Sequence, residues 1–149
     1  MNNDAENTES THTIRLRGPS RLLWMHNGTQ QADVRVQIPC KIEPDIFEMP
    51  QDDAENLFLL CRSFGKPTGL AESQCVTLEL SKFQGAVGVV LNRNSEVAIE
   101  SEFADESGSL TISVAASLLQ HNTLEVEFGS LPAVAGEVRL KIQASRHSD

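Results

Sequence analysis

Residues 124–128 read Leu-Glu-Val-Glu-Phe, and this alternation of apolar and charged side chains decides the fold class. Successive side chains of a β-strand point to opposite faces of a sheet, so the segment predicts a strand with one buried face and one wet face. The same alternation recurs at residues 34–38, 76–80 and 138–142. Because sheets with one face in water are typically antiparallel, the sequence predicts an antiparallel β-structure.

Shorter or less regular apolar runs lie between these four segments. They predict further strands at residues 13–17, 21–25, 57–64, 87–91, 97–100 and 110–112. Turn residues separate the runs, among them Asn27-Gly28, which favours a tight hairpin, and Ser107-Gly108. Residues 40–56 are expected to be irregular, and only residues 114–120 have a helical pattern. About ten short strands with almost no helix predict an all-β sandwich or barrel.

Length and charge restrict the class of protein. The chain has 149 residues, which is enough for one domain. The strand pattern places a single β-sandwich domain at residues 13–144, after a polar lead (1–12) that is expected to be disordered and before a frayed end (145–149). Lys and Arg number 12 against 21 Asp and Glu, and the net charge of −9 argues against binding to nucleic acid or to an anionic membrane. No apolar run approaches the ~18 residues of a membrane span.

The N-terminal segment and the cysteines predict the compartment. Residues 1–13, MNNDAENTESTHT, contain neither a basic nor an apolar stretch and so lack the pattern of a secretory signal. The three cysteines, an odd number, are expected to be reduced thiols in the cytoplasm. Cys61 and Cys75 lie in apolar runs, which predicts that both are small buried side chains.

The second half of the chain contains an ordered series of motifs. Residues 61–67 read CRSFGKP, residues 83–85 read FQG, residues 87–92 read VGVVLN and residues 122–126 read NTLEV. Their order and spacing resemble the N-terminal sugar-binding domain of family 2 glycoside hydrolases. The resemblance implies a jelly-roll β-sandwich of the galactose-binding-domain-like class, whereas the alternation alone predicts only an antiparallel β-structure.

The resemblance also bears on function. In that family the catalytic carboxylates lie in a separate barrel domain, so the likeness implies a non-catalytic module that binds carbohydrate. The motifs single out Arg62, Asn92 and Arg93 as candidate ligand-binding residues, although Arg93 stands where the family usually has Gly. For Arg62 the alternative is a stem packed over neighbouring side chains. For Asn92 it is a tight turn, because Asn tolerates the left-handed backbone region.

Trp24, the only Trp in the chain, is the fourth candidate ligand-binding residue. An exposed indole combines an apolar face with a polar edge, which suits stacking on a sugar ring. The neighbours Leu22, Leu23 and Met25 instead favour a place for Trp24 in the core. The chain has no Tyr and six Phe, and this shortage of aromatic residues keeps open a second function, a β-sandwich module that binds another protein.

Two acidic groups offer oxygen ligands for a metal. The first comprises Glu43, Asp45, Glu48, Asp52, Asp53 and Glu55, and the second comprises Glu96, Glu100, Glu102, Asp105 and Glu106. Flexible acidic loops suit a structural Ca²⁺, but neither group has the spacing of an EF-hand. Solvated loops, or a surface for a basic protein partner, are the alternatives. No other cofactor is expected.

Catalytic motifs are missing from the sequence. It contains no G-x-S-x-G, no H-E-x-x-H and no phosphate-binding glycine loop. The sequence therefore favours a protein that is not an enzyme. The remaining alternative is a small glycoside hydrolase whose carboxylate pair the spacing does not reveal.

Overall fold

Twelve strands form the described part of the chain, which in this computed structural model comprises residues 11–48, 55–71 and 73–144. The strands are β1 (Thr11–Arg15), β2 (Gly18–His26), β3 (Thr29–Ile38), β4 (Cys40–Lys41), β5 (Asn56–Gly65), β6 (Gln74–Ser81), β7 (Ala86–Leu91), β8 (Ile99–Glu102), β9 (Leu110–Ser113), β10 (His121–Phe128), β11 (Val134–Ala135) and β12 (Glu137–Ala144). Within these residues the one helical element is a 3₁₀ turn at Ala115–Ser117. The predicted all-β class is confirmed, and no described helix is long and apolar enough to cross a membrane.

Two antiparallel sheets make the sandwich. One has the order β3-β2-β5-β10-β7-β8 and the other has the order β1-β12-β6-β9, while β11 and β4 form a small third pair. From β5 onward the chain passes repeatedly between the two large sheets: β5, β7 and β10 lie in the first, and β6, β9 and β12 lie in the second. This alternation is the jelly-roll arrangement that the motif resemblance implies.

The core lies between the large sheets and follows the alternation in the sequence. On β10, Leu124 and Val126 face inward, and Val126 pairs with Leu60 on one side and Val89 on the other. On the opposite sheet Leu140 pairs with Leu78. All of these side chains are almost fully buried, so the two inner faces supply the apolar area that stabilises the fold.

Several boundaries differ from the sequence predictions. The first strand begins at Thr11, so residues 11 and 12 belong to β1 and not to a disordered lead, while the rest of the predicted lead and the frayed end lie outside the described residues. The predicted irregular segment contains the short strand β4, which pairs with β11. The predicted helix is only the 3₁₀ turn, because Leu118 already has extended backbone angles (φ −80°, ψ 131°).

One glycine is required by a close approach of two chain segments. Gly136 is buried between β11 and β12, and a Cβ atom there would lie 2.1 Å from the Ser81 carbonyl oxygen and 2.5 Å from that of Lys82. At Gly129 nothing lies within 4 Å of the same atom. A Gly→Ala change at both positions therefore separates the effect of a steric clash, which occurs only at Gly136, from the effect of losing a glycine.

We expect Gly136→Ala to lower the free energy of unfolding by about 3 kcal/mol or more, because the methyl group displaces backbone at the end of β6. Gly129→Ala is the matched control and should change stability by no more than about 0.5 kcal/mol. Urea denaturation followed by circular dichroism measures both. Equal changes in the two variants would contradict the close approach.

Candidate functional site

The side chain of Asn92 is a structural tie at the end of β7. It is 5% exposed, and its φ of +57° is the left-handed turn conformation that suits Asn. Its Nδ2 donates to the Ser117 carbonyl (2.8 Å) and to Asn122 Oδ1 (2.9 Å), and its Oδ1 accepts from the Thr123 backbone N–H (3.0 Å). The buried amide is fully used in these bonds. The structure thus corrects the ligand-binding prediction for Asn92 and gives the residue its turn role.

Asn122 at the start of β10 completes this tie. It is 1% exposed, and its Nδ2 donates to the Leu119 carbonyl (2.9 Å) and to the Phe64 carbonyl (3.3 Å). Its Oδ1 also accepts from the Leu119 backbone N–H (2.8 Å). The two amides together connect β5, β7, β10 and the segment around the 3₁₀ turn. The sequence analysis recognised Asn122 only as part of a motif, although its position two residues before Leu124 puts it on the inward face of β10.

Trp24 lies in the core and does not offer a ring face to solvent. It is 7% exposed, and its ring centroid lies 5.9 Å from that of Phe47 and 5.9 Å from that of His26. Its Nε1 donates to Asn56 Oδ1 at 2.9 Å. Stacking on a sugar would need an exposed face, so this placement corrects the ligand-binding prediction for Trp24 and agrees with the core alternative.

Arg62 occupies an inward-facing position of β5, opposite Leu124 of β10. Its guanidinium reaches the end of the sandwich, where Nη2 donates to the Arg17 carbonyl (2.8 Å) and Nη1 donates to the Ser63 carbonyl. Its Nε is buried and has no hydrogen-bond partner among the described residues. Arg62 therefore holds the segment between β1 and β2, and it shows how the arginine stem can pack while its head binds backbone.

Arg93 is the one predicted site residue that lies on an open surface. Its Nε donates to Glu125 Oε1 (2.7 Å) and its Nη2 donates to Glu127 Oε2 (3.1 Å), both on the outer face of β10. These hydrogen bonds, that to Glu125 foremost, raise the pKa of the Arg93 guanidinium above its ordinary value. Arg93, Glu125 and Glu127 thus form a hydrogen-bonded network of charged side chains on the surface beside β7.

A groove lies next to this network on the outer face of the six-stranded sheet. We call it the β7–β8 groove; its volume is about 620 Å³, and its lining residues are Val87, Gly88, Val89, Val90, Arg93, Glu100, Ser101, Glu102 and Glu127. The floor is backbone and valine, and the rim carries carboxylates and the Arg93 guanidinium. Gly88 keeps the floor low, because a Cβ atom there would lie 3.3 Å from the Ser101 carbonyl and 3.5 Å from Glu127 Oε1.

A second cavity, on the other sheet, is lined by three arginines. We call it the arginine cleft; it measures about 260 Å³ and is lined by Arg15, Leu16, Arg17, Pro39, Glu137, Val138 and Arg139. Sequence reasoning missed this site, because Arg139 is far from the other two arginines in the chain. The signal available was the R-x-R at residues 15–17 together with an arginine on the wet face of the strand at 138–142.

The carboxylate in the cleft reports a positive local potential. Burial raises the pKa of Glu137, but the charges of Lys82, Arg139 and Arg15, with a hydrogen bond from Arg139, outweigh it and hold this pKa below its ordinary value. Glu137 Oε1 accepts from Arg139 Nη2, and Glu137 Oε2 lies 3.7 Å from Lys82 Nζ.

The described residues of the two acidic groups predicted to bind Ca²⁺ do not come together in a metal site. Within the described ranges no group of three or more His, Cys, Asp or Glu side chains is arranged to hold a metal. Asp52 and Asp53 of the first group lie outside those ranges. Glu100 and Glu102 of the second group instead line the β7–β8 groove.

The cysteines differ from the prediction that Cys61 and Cys75 are buried. Cys75 is exposed and Cys61 is half-buried on the outer face, where it pairs with Arg21 and Glu125 of the adjacent strands. Their positions in β6 and β5 alternate with the core residues, which puts both thiols on the outer faces. Burial, with a smaller effect from the charge of Glu125, raises the pKa of Cys61 to about 11.

The fold recurs in parts of two larger solved structures. An FMN-binding β-glucuronidase from Facaelibacterium prausnitzii L2-6 superimposes on 89% of this chain with a TM-score of 0.58 and 16% identity. A β-glucuronidase from an uncultured Clostridium sp. superimposes on 97% with a TM-score of 0.57 and 13% identity. This chain spans 22% and 31% of those two proteins. The likeness confirms the fold expected from the motif resemblance. No protein-family model and no curated protein matches the sequence.

The amide tie predicts a sharp difference between two asparagines close in sequence. Asn92→Asp keeps the shape but removes both donors and places a carboxylate against two acceptor oxygens, so we expect a loss of more than about 2 kcal/mol at neutral pH. Asn94 is exposed and also has a positive φ (+70°), so Asn94→Asp is the matched control and should be nearly neutral. Urea unfolding tests this, and a similar change in both variants would contradict the structural role of Asn92.

Thiol reactivity should follow exposure and pKa. At pH 8 we expect Cys75 to react with a thiol reagent at least about tenfold faster than Cys61, whose thiolate is scarce at that pH. The slow reaction of Cys61 should accelerate as the pH rises towards 11. Cys75→Ser should abolish the fast phase, and a fast phase that persists in this variant would contradict the assignment.

Proposed function

We propose that this chain is a non-catalytic, carbohydrate-binding-like β-sandwich module that works in the cytoplasm. The observation that carries the proposal is the fold, which recurs within two β-glucuronidases of which this chain spans less than a third. The motif order that resembles a sugar-binding domain supports the same proposal. The three cysteines are unpaired, as expected for a reducing compartment.

The β7–β8 groove is the site we assign to a saccharide. Sugar hydroxyls both donate and accept hydrogen bonds, and the rim offers carboxylate acceptors at Glu100 and Glu102 beside the donors of Arg93. The apolar floor at Val90 suits the C–H faces of a sugar ring. Trp24 lies in the core and no aromatic side chain is among the described residues that line the groove, so we expect binding that is weak and dominated by hydrogen bonds.

A specific observation favours a second candidate, binding to another protein. Val87 at the edge of the groove is 52% exposed, and it is one of two large apolar side chains that are exposed within the described ranges. Leu23 and Leu59 pair on the outer face of the same sheet and are only half-buried. Exposed apolar side chains beside a polar rim are typical of protein contacts.

The test of the saccharide site uses neutral mono- and oligosaccharides in NMR titrations with the ¹⁵N-labelled protein. We expect shifts confined to residues around the groove, and Arg93→Gln should weaken binding about tenfold by removing charged hydrogen bonds. Lys141→Gln removes a similar exposed ion pair, that with Glu79 on the other sheet (3.2 Å), and should leave affinity unchanged. In both ion pairs the cation is exposed and the carboxylate is partly exposed, so neither variant should lose more than about 1 kcal/mol of stability.

Two outcomes would reject the carbohydrate proposal. One is the absence of any shift at millimolar saccharide, and the other is equal weakening by Arg93→Gln and Lys141→Gln. In the first case, concentration-dependent self-association that Val87→Ser abolishes would favour the protein-binding candidate. Release of nitrophenol from aryl glycosides by the purified protein would instead reject the non-catalytic role.

A further inference from the structure

Two arginines of the arginine cleft face one another across neighbouring strands. Arg15 of β1 and Arg139 of β12 are directly opposite in the antiparallel register. Side chains in such pairs have Cβ atoms about 5 Å apart, and like charges at these positions are destabilising. A protein with a net charge of −9 thus concentrates positive charge at a place where it opposes strand pairing.

The protein's own carboxylates satisfy this charge only in part. Among the described residues Glu137 is the one acid that lines the cleft, against Arg15, Arg17 and Arg139, which leaves two positive charges in excess. Its Oε1 is engaged by Arg139 Nη2. The side chains of Arg15 and Arg17 make no hydrogen bond and no ion pair with another residue of the described ranges.

The cleft is built to present these groups. The Leu16 backbone N–H donates to the Val138 carbonyl (2.9 Å), and Arg62 donates to the Arg17 carbonyl (2.8 Å), so the segment between β1 and β2 is held from both sheets. The Nε of Arg139 is shielded from solvent and has no partner in the described part of the protein. Such a donor is costly to leave unpaired, which favours an acceptor supplied from outside.

We propose that the arginine cleft binds a small molecule through a carboxylate or phosphate group. The planar fork of an arginine donates two parallel hydrogen bonds to either group, and two opposed guanidinium groups surround one anion. The volume of about 260 Å³ admits a single small ring or an acid head group, and the exposed Pro39 in the lining offers an apolar surface to the uncharged part of the ligand. The cleft lies on the β1–β12 strands of the four-stranded sheet, so this inference does not depend on the saccharide proposed for the β7–β8 groove.

The experiment compares glucose, glucuronate, glucose 6-phosphate and inorganic phosphate in thermal-shift and NMR titrations of the full chain. Glucose and its two charged derivatives share one ring, so a response to charge is separated from a response to the sugar. We expect the anions to raise the melting temperature and to shift the Arg139 Nε–H resonance, and we expect glucose to do neither at this site. Binding should weaken as salt is added, since exposed charges are screened.

The variant Arg15→Gln makes the test specific. It should reduce anion affinity about tenfold or more while leaving the melting temperature of the free protein unchanged or higher, because it removes one of two opposed charges. Arg93→Gln, which alters the groove on the other sheet, is the control and should leave the affinity for inorganic phosphate, which has no sugar ring, unchanged. The probe that binds most tightly identifies the head group that the cleft prefers. Glucuronate would indicate a carboxylate, glucose 6-phosphate a phosphate ester and inorganic phosphate a free phosphate.

Three results would overturn the proposal. They are no response to any anion, equal responses to glucose and glucuronate that Arg15→Gln does not alter, and equal weakening of anion binding by Arg15→Gln and Arg93→Gln. If the protein binds anions at the arginine cleft but no neutral saccharide at the β7–β8 groove, only the proposed function is rejected. If the protein binds neutral saccharides but no anion, only the proposal of an anion site in the arginine cleft is rejected.

Discussion

The pairing of β10 with strands on both of its sides is the constraint on which the rest of the structure depends. Residues Glu127 and Phe128 mark a shift of register against β7, whereas the pairing with β5 is continuous from His121 to Phe128. A one-residue slip of β10 would turn its three inward apolar side chains to solvent and its two glutamates into the core. One neighbour of β10 is β7, which forms the floor of the β7–β8 groove. The other is β5, whose Arg62 holds the Arg17 carbonyl at the arginine cleft. The register of β10 therefore helps to position both candidate sites.

The two buried asparagines explain how this register is set at one end. Apolar side chains alone fix which face of a strand is buried, but several positions along the strand satisfy that condition equally well. Asn92 and Asn122 bond to one another and to backbone groups of three chain segments, so a shifted alignment would leave these two buried amides without their partners. A buried polar network therefore selects among arrangements that the hydrophobic effect does not distinguish.

Periodicity predicted the β-strands well, because five residues are enough to show the alternation of a strand with one face in water. It placed the core face of residues 124–128 and 138–142 correctly, and the Asn27-Gly28 turn has the positive φ angles that its residues favour. The fate of Trp24 was harder to predict, since an apolar neighbourhood suits a core position and a binding platform alike. The arginine cleft was missed, because its two sequence signals are far apart and only the pairing of Arg15 with Arg139 joins these residues from opposite ends of the domain.

The arginines of this protein lie in two contrasting environments, and the contrast gives each surface its chemical character. Arg93 is met by two carboxylates on the adjacent strand, so its charge is satisfied within the protein, and the groove beside it, which three glutamates also line, suits a ligand that forms hydrogen bonds without bringing negative charge. Arg15 is instead met by another arginine across its strand pair. Glu137 offsets part of the destabilisation from that pair, and a further negative charge between the two side chains reduces it more. An anion that binds there adds its own interaction and also removes a repulsion within the protein, so binding and stability are linked at the cleft and not at the groove.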